Sequence, residues 1–263
     1  MNTAAPSAAT AHQPSSAAAA GWIIGVVAAI SLAGFLAPAG WNFAAIAIAL
    51  AVLLLVLGRA IVGRPLGALI NDQNVMSLSR LQMVVWTVII LAAYLAFAFS
   101  RIAAHEANPL DIRIDWHLLA LMGISATSFV ASPLILGTKK DKEPDPAATA
   151  KTALVAGEDL AVVESNRQGT LYANTDKMDA QLTDLFQGDE LGNTTHLDLA
   201  KLQMFFFTLI AAIAFVAMTI ASMAARSSDL GSLPVLSDGF VAILGISHAG
   251  YLSSKGIDHT EAK

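Results

Sequence analysis

The sequence predicts an all-α integral membrane protein: a bundle of six transmembrane helices in which one two-helix hairpin occurs twice as a parallel repeat. Three observations predict it. Of 263 residues, 56% are hydrophobic and only 13% are charged, whereas a soluble domain carries about a quarter charged residues. The apolar residues fall in blocks of membrane length, roughly 20 residues being needed to cross ~30 Å of hydrocarbon. The segment SLSRLQMVVWTVII (77–90) returns as DLAKLQMFFFTLIA (198–211). Helices are the expected form because a chain in hydrocarbon has to satisfy its own backbone polar groups.

The spans, in order, run from about Ala18 to Leu36, Trp41 to Leu57, Leu81 to Ser100, Trp116 to Leu136, Leu202 to Ala225 and Leu236 to Leu252. Pro38 and Gly40 break the first from the second, and the sixth carries Asp238 and His248. Residues 1–16 read as a disordered tail, and 17–64 form a first hairpin. Residues 65–137 form the first copy of the repeat and 186–257 the second. The stretch 138–185 is an acidic cytoplasmic insert, and 258–263 is a cytoplasmic end. With the N-terminus inside, twelve Lys or Arg lie on the inner side and three (Arg101, Arg113 and Arg226) on the outer side. The excess places both termini in the cytoplasm. No basic segment precedes the first apolar run, so that run is expected to be retained rather than cleaved.

Most of the acid lies in residues 138–200, which carry twelve Asp or Glu against six Lys or Arg. Lys139 to Ala150 reads as a linker. Met178, Leu182, Leu185 and Phe186 recur at helical spacing, with Asp176 as cap and Gly188 as stop, which predicts one short amphipathic helix. Fewer than seventy residues with few large apolar groups make no independent catalytic domain.

The duplication extends beyond its best-matched segment. Leu81-Gln82-Met83 corresponds to Leu202-Gln203-Met204, Thr87 to Thr208 and Arg80 to Lys201, at an offset of 121. Downstream, LMGISATSFVAS (121–132) matches ILGISHAGYLSS (243–254) at an offset of 122. Each copy leaves and re-enters the cytoplasmic side, so the two are related by a pseudo-two-fold axis along the membrane normal. Ser77 and Asp198 stand where they can cap their helices. Arg80 and Lys201 follow at headgroup depth, where long cationic side chains snorkel. Gln82 and Gln203 lie just inside; their amides either bond across the pseudo-axis or satisfy loop carbonyls. Gly123, Thr127 and Ala131 are spaced by four, as are Gly245, Ala249 and Ser253. Small residues at that spacing let helices approach closely, within one subunit or between two.

The LQM…WT and LQMFFFT helix starts, the preceding FQGDELGN, and the two GIS helices, the second ending in HAGYLSSK, resemble a group of bacterial multi-pass membrane proteins. The resemblance covers roughly residues 60–257. It implies a bacterial inner-membrane setting and brings no catalytic residue with it.

His248 is the ionisable residue set well inside a span, ~10 Å from Lys255 along the helix. Either it serves a proton-linked or pH-sensing role, or it is neutral and bonds a serine or carbonyl of a neighbouring helix. Asp115 and Asp238, at the outer ends of the fourth and sixth spans, are either helix caps or a cation-attracting mouth. The acidic run Asp179, Asp184, Asp189, Glu190 and Asp198 lacks calcium-loop spacing and reads as a solvated face. With no cysteine and no nucleotide, zinc or nucleophile motif, neither an enzyme, a cofactor nor a metal site is expected. A net charge of −5 does not suggest nucleic acid as a partner.

Two functions fit. One is a structural or interaction protein that forms a homo-oligomer in the bilayer through its small-residue faces and docks a cytoplasmic partner through 138–200. The other is a small ion or proton channel or transporter with a polar path near His248, Ser247, Ser125, Gln82 and Gln203.

Overall fold

The computed structural model describes residues 16–38, 40–225 and 230–260, with side chains from Ala20 onward. The chain is mostly helical, and among the described residues four helices are long and apolar enough to cross a membrane. The reading of the N-terminal tail falls outside the described residues except for Ser16, which begins the first helix.

Helices α1 (Ser16–Leu36) and α2 (Trp41–Val62) pair as a hairpin. Helix α2 is apolar on every side, and it buries only Asn42, Phe43, Ile46 and Gly58. Such a helix needs an apolar surround. It stops at Gly63, whose left-handed backbone (φ 89°) returns its N–H to the Arg59 carbonyl.

Helices α3 (Leu78–Ala103) and α4 (Trp116–Gly137) are followed, after a long polar stretch, by α7 (Leu199–Ala224) and α8 (Asp238–Gly256). Both ends of α3 and α7 are 121 positions apart, and the starts of α4 and α8 are 122 apart. Helix α3 packs on α7, and α4 packs on α8. Trp86, Phe97, Leu118, Leu121, Phe215 and Leu244 fill the space between them. Ala92, Ala93 and Ala96 are fully buried on α3 and let its backbone lie close to its neighbours. The first hairpin leans on α3, with Phe35 edge-on to Phe99 at 4.7 Å between ring centroids. Helix α8 is shorter than the other three and less apolar, because its inward row carries Ser247, His248, Tyr251 and Lys255.

The stretch between α4 and α7 departs from expectation. Lys139 to Ala150 is no free linker: Lys139 is buried, Asp145 caps a helix α5 (Pro146–Ala156), and Pro146 takes its first position. Proline is suited to that place because its missing N–H would be unpaired there anyway. A short α6 (Leu160–Ser165) and a two-stranded hairpin, β1 (Arg167–Gln168) with β2 (Leu171–Tyr172), follow. Nor is there an amphipathic helix at 176–186. Asp176 does cap a turn there, at the N–H of Met178, but the chain makes two separate 3-10 turns, Lys177–Asp179 and Leu182–Leu185. The Asp184 carboxylate accepts from the N–H of Gln181 at 2.8 Å and of Met76 at 3.0 Å. That bond to the loop before α3 competes with helix propagation, and it leaves Met178 and Leu182 exposed.

This cap is stitched to the ends of the long helices. Arg64, just past α2, donates to the carbonyls of Ala180 and Met178 at 2.6 and 3.0 Å. Asn74 and Asn174 exchange side-chain-to-backbone hydrogen bonds of 2.9 Å each. Gly169 (φ 63°) turns β1 into β2 against the carbonyls of Lys139 and Lys140, where a Cβ would collide with backbone.

Candidate functional site

Three polar constellations lie along the paired hairpins, one at each end and one between. At the end where α7 begins and α8 stops, Lys201 donates to Asp189 Oδ1 at 2.9 Å and to the Gln187 carbonyl at 2.5 Å. Lys255, from the end of α8, bonds the other oxygen of the same carboxylate. Beside them Lys139 donates to Glu190 Oε1 and to the Ile257 carbonyl, both at 2.6 Å. The second oxygen of Glu190 accepts from Thr260 at 2.8 Å and from the N–H of His259 at 3.0 Å. The Lys139 and Glu190 side chains are each 2% exposed. Burial pushes the Asp189 carboxyl up, but the Lys201 and Lys255 ammonium groups outweigh it and hold the group well below the usual carboxylate range. The acidic run is therefore not all a solvated face: Asp189 and Glu190 are the counter-ions of three lysines at helix ends. Lys201 does not snorkel freely. Two adjacent acids in the polar loop ahead of an apolar helix, in a chain with lysines at helix ends, were the signal available in the sequence.

Between α4 and α8 runs a polar seam. Ser128 Oγ and His248 Nδ1 are 2.6 Å apart, and Ser132 Oγ and Tyr251 OH are 3.3 Å apart. His248 is thus buried against a serine of the neighbouring helix. Ser125 and Ser247 are also buried, and their hydroxyls have no hydrogen-bond partner among the described residues. The same holds for Gln82 Oε1 and Trp86 Nε1 on α3. The Gln82 amide nitrogen donates to Thr208 Oγ1 on α7 at 2.5 Å. Gln203 does not take part: it is exposed on the far side of α7, so the two glutamines do not bond each other. A one-residue difference in which face of each helix turns inward separates them, about 100° per residue.

The serines, rather than the small-residue rows, line this seam. Gly123, Thr127, Ala249 and Ser253 are exposed, while Ala131 and Gly245 are partly covered. Gly245 meets only the tip of Ile124 within 4 Å, and Gly123 meets nothing.

The two expected helix caps differ. Asp198 caps α7, accepting from Ala200 and Lys201 N–H groups at 2.9 and 3.1 Å. Ser77 stands at the same place on α3 but makes no cap bond; its hydroxyl meets that of Ser79 at 3.0 Å. The serine pair satisfies each other instead of the helix end.

At the opposite end, Asp115 caps α4 through the N–H of His117 at 3.0 Å. That hydrogen bond, with the His117 ring, holds the Asp115 carboxyl below its ordinary value. His117 reaches Asp115 with one ring nitrogen and Asp238 of α8 with the other, the latter at 2.5 Å. Asp238 is not the cap of α8; Ser237 is. Among the described residues no group of three or more His, Asp or Glu is placed to hold a metal ion.

Comparison with protein-family models, with curated proteins and with solved structures gave no match.

Proposed function

We propose that the protein is a multi-pass membrane protein of structural or interaction type. Six helices span the bacterial inner membrane with both termini in the cytoplasm, and the hairpins α3–α4 and α7–α8 are copies. Copies of the chain associate in the bilayer through the rows Gly123-Thr127-Ala131 and Gly245-Ala249-Ser253, and the cytoplasmic cap docks a protein partner. The observation that carries this reading is where those rows sit. Gly123, Thr127, Ala249 and Ser253 are exposed, so most of each row is not used up in the contacts inside the chain. The cap adds support, because Leu154, Val155, Leu160 and Val162 are exposed on α5 and α6, outside any span. Oligomeric state in nanodiscs tests the first part. Gly123→Leu, at an open position, is expected to shift the assembly toward monomer, with helix content unchanged. An unchanged assembly overturns the small-residue contact.

The second reading, an ion or proton channel or transporter, draws on a specific observation too. Buried polar atoms of Gln82 and Trp86 on α3, Ser125 on α4 and Ser247 on α8 lack hydrogen-bond partners among the described residues. Buried polar groups of this kind are commonly satisfied by water. Proton or cation flux into liposomes, lost on His248→Ala, would favour that reading; no flux from wild-type protein would count against it.

A further inference from the structure

A cavity of about 340 Å³ lies between the start of α3 and the end of α4. Its inner wall is polar, formed by Ser79, Arg80 and Lys140. Its outer rim is apolar, formed by Val130 and Leu134, which are 56% and 69% exposed on the flank of α4. Polar floor and apolar rim follow one another along the direction in which a lipid changes from headgroup to acyl chain.

The charges in the cavity do not cancel. Lys140 is paired with Asp72, which also lines the wall. Arg80 makes no hydrogen bond or ion pair with any described residue; its guanidinium carbon lies 5.7 Å from the centroid of the Phe129 ring. One positive charge is therefore left over, on the side chain whose planar fork matches phosphate oxygens and stacks on aromatic faces. The corresponding place on the second hairpin has its anions built in. There Lys201 is paired with Asp189, which it shares with Lys255, and Asp198 caps α7. The first hairpin supplies neither carboxylate: Arg80 has no acid partner and Ser77 leaves α3 without a side-chain cap.

We propose that this cavity holds the phosphodiester of an anionic phospholipid. The phosphate sits on Arg80, with Ser79 and Lys140 beside it, and the acyl chains leave over Val130 and Leu134. A single surplus charge suits a singly charged phosphodiester and gives less advantage to a zwitterionic headgroup, which carries no net charge. The inference rests on the membrane placement of α3 and α4 and not on the oligomeric state, which is read separately.

The test uses the full chain reconstituted with equal amounts of phosphatidylglycerol and phosphatidylcholine, with retained lipid counted by native mass spectrometry. Wild-type protein is expected to keep phosphatidylglycerol in excess. Arg80→Gln is expected to weaken that retention roughly tenfold, and Arg80→Lys, which keeps the charge without the fork, falls between. Arg59→Gln removes an inner-side charge outside the cavity and is expected to behave as wild type. Equal retention of the two lipids by wild-type protein overturns the proposal, whether or not the variants fold. So does an Arg80→Gln variant indistinguishable from Arg59→Gln. Displacement of the retained lipid by millimolar inorganic phosphate would assign the cavity to a soluble phosphate and overturn the lipid source.

Discussion

Asp189 accepts from two lysines that belong to different helices, Lys201 at the start of α7 and Lys255 at the end of α8. Removing that carboxylate leaves two ammonium groups facing each other out of water. Asp189→Asn is accordingly expected to cost ~3–5 kcal/mol, the usual range for breaking a buried pair by deleting one partner. Thermal unfolding of the purified protein measures it. The pH dependence has a definite sign. A carboxyl held below its ordinary value of 3.8 stabilises the fold fully above that value and loses the contribution as pH falls through the folded value. The unfolding midpoint of wild-type protein is therefore expected to drop in acid below about pH 4, and Asp189→Asn to show a smaller drop. At the same scale, Gln82 and Gln203 show that identical residues at matched positions need not share an environment: one is buried on Thr208, and the other faces outward.

The elements divide into those whose own sequence dictates them and those held by what they touch. Helices α2, α3, α4 and α7 need only their apolar length and a surround that competes for no backbone hydrogen bonds. The cap elements are too short to persist alone, α6 having six residues and each strand two. They persist because backbone groups of the helix ends hold them, as Thr170 N–H is held by the Lys139 carbonyl at 3.2 Å. Gly169 is the tightest of these places. Gly169→Ala would force a left-handed residue and drive a Cβ into the Lys139–Lys140 backbone. It is expected to cost upward of ~1–2 kcal/mol and to be read as faster proteolysis of residues 138–198 with the long helices intact.

At the scale of the molecule, the paired hairpins and the cap pack together, and the first hairpin leans on α3 and on the turn at 65–69, with Arg64 tying its end to the cap. The proposed orientation can be tested cleanly because the chain has no cysteine of its own. Single cysteines at Ala150 on α5 and at Ala107 between α3 and α4 are both exposed positions. In intact cells a membrane-impermeant thiol reagent is expected to label Ala107→Cys and to spare Ala150→Cys until the membrane is opened. Labelling of both, or the reverse pattern, would overturn cytoplasmic placement of the cap.

The sequence by itself determined the four long apolar helices and the polar stretch between α4 and α7, because apolar length and composition are local properties that need no partner. It also carried the Asp198 cap, a matter of a side chain and the three residues after it. Only the tertiary structure decided that Ser77 turns to Ser79, that Asp189 and Glu190 are counter-ions, that serines rather than glycines line the α4–α8 seam, and that residues 138–185 fold onto the helix ends. Each of these depends on which groups lie opposite one another after folding. Periodicity places a residue on a face, but it does not say what that face meets, and for a charge or a hydroxyl in a poorly hydrated place the partner sets the energy.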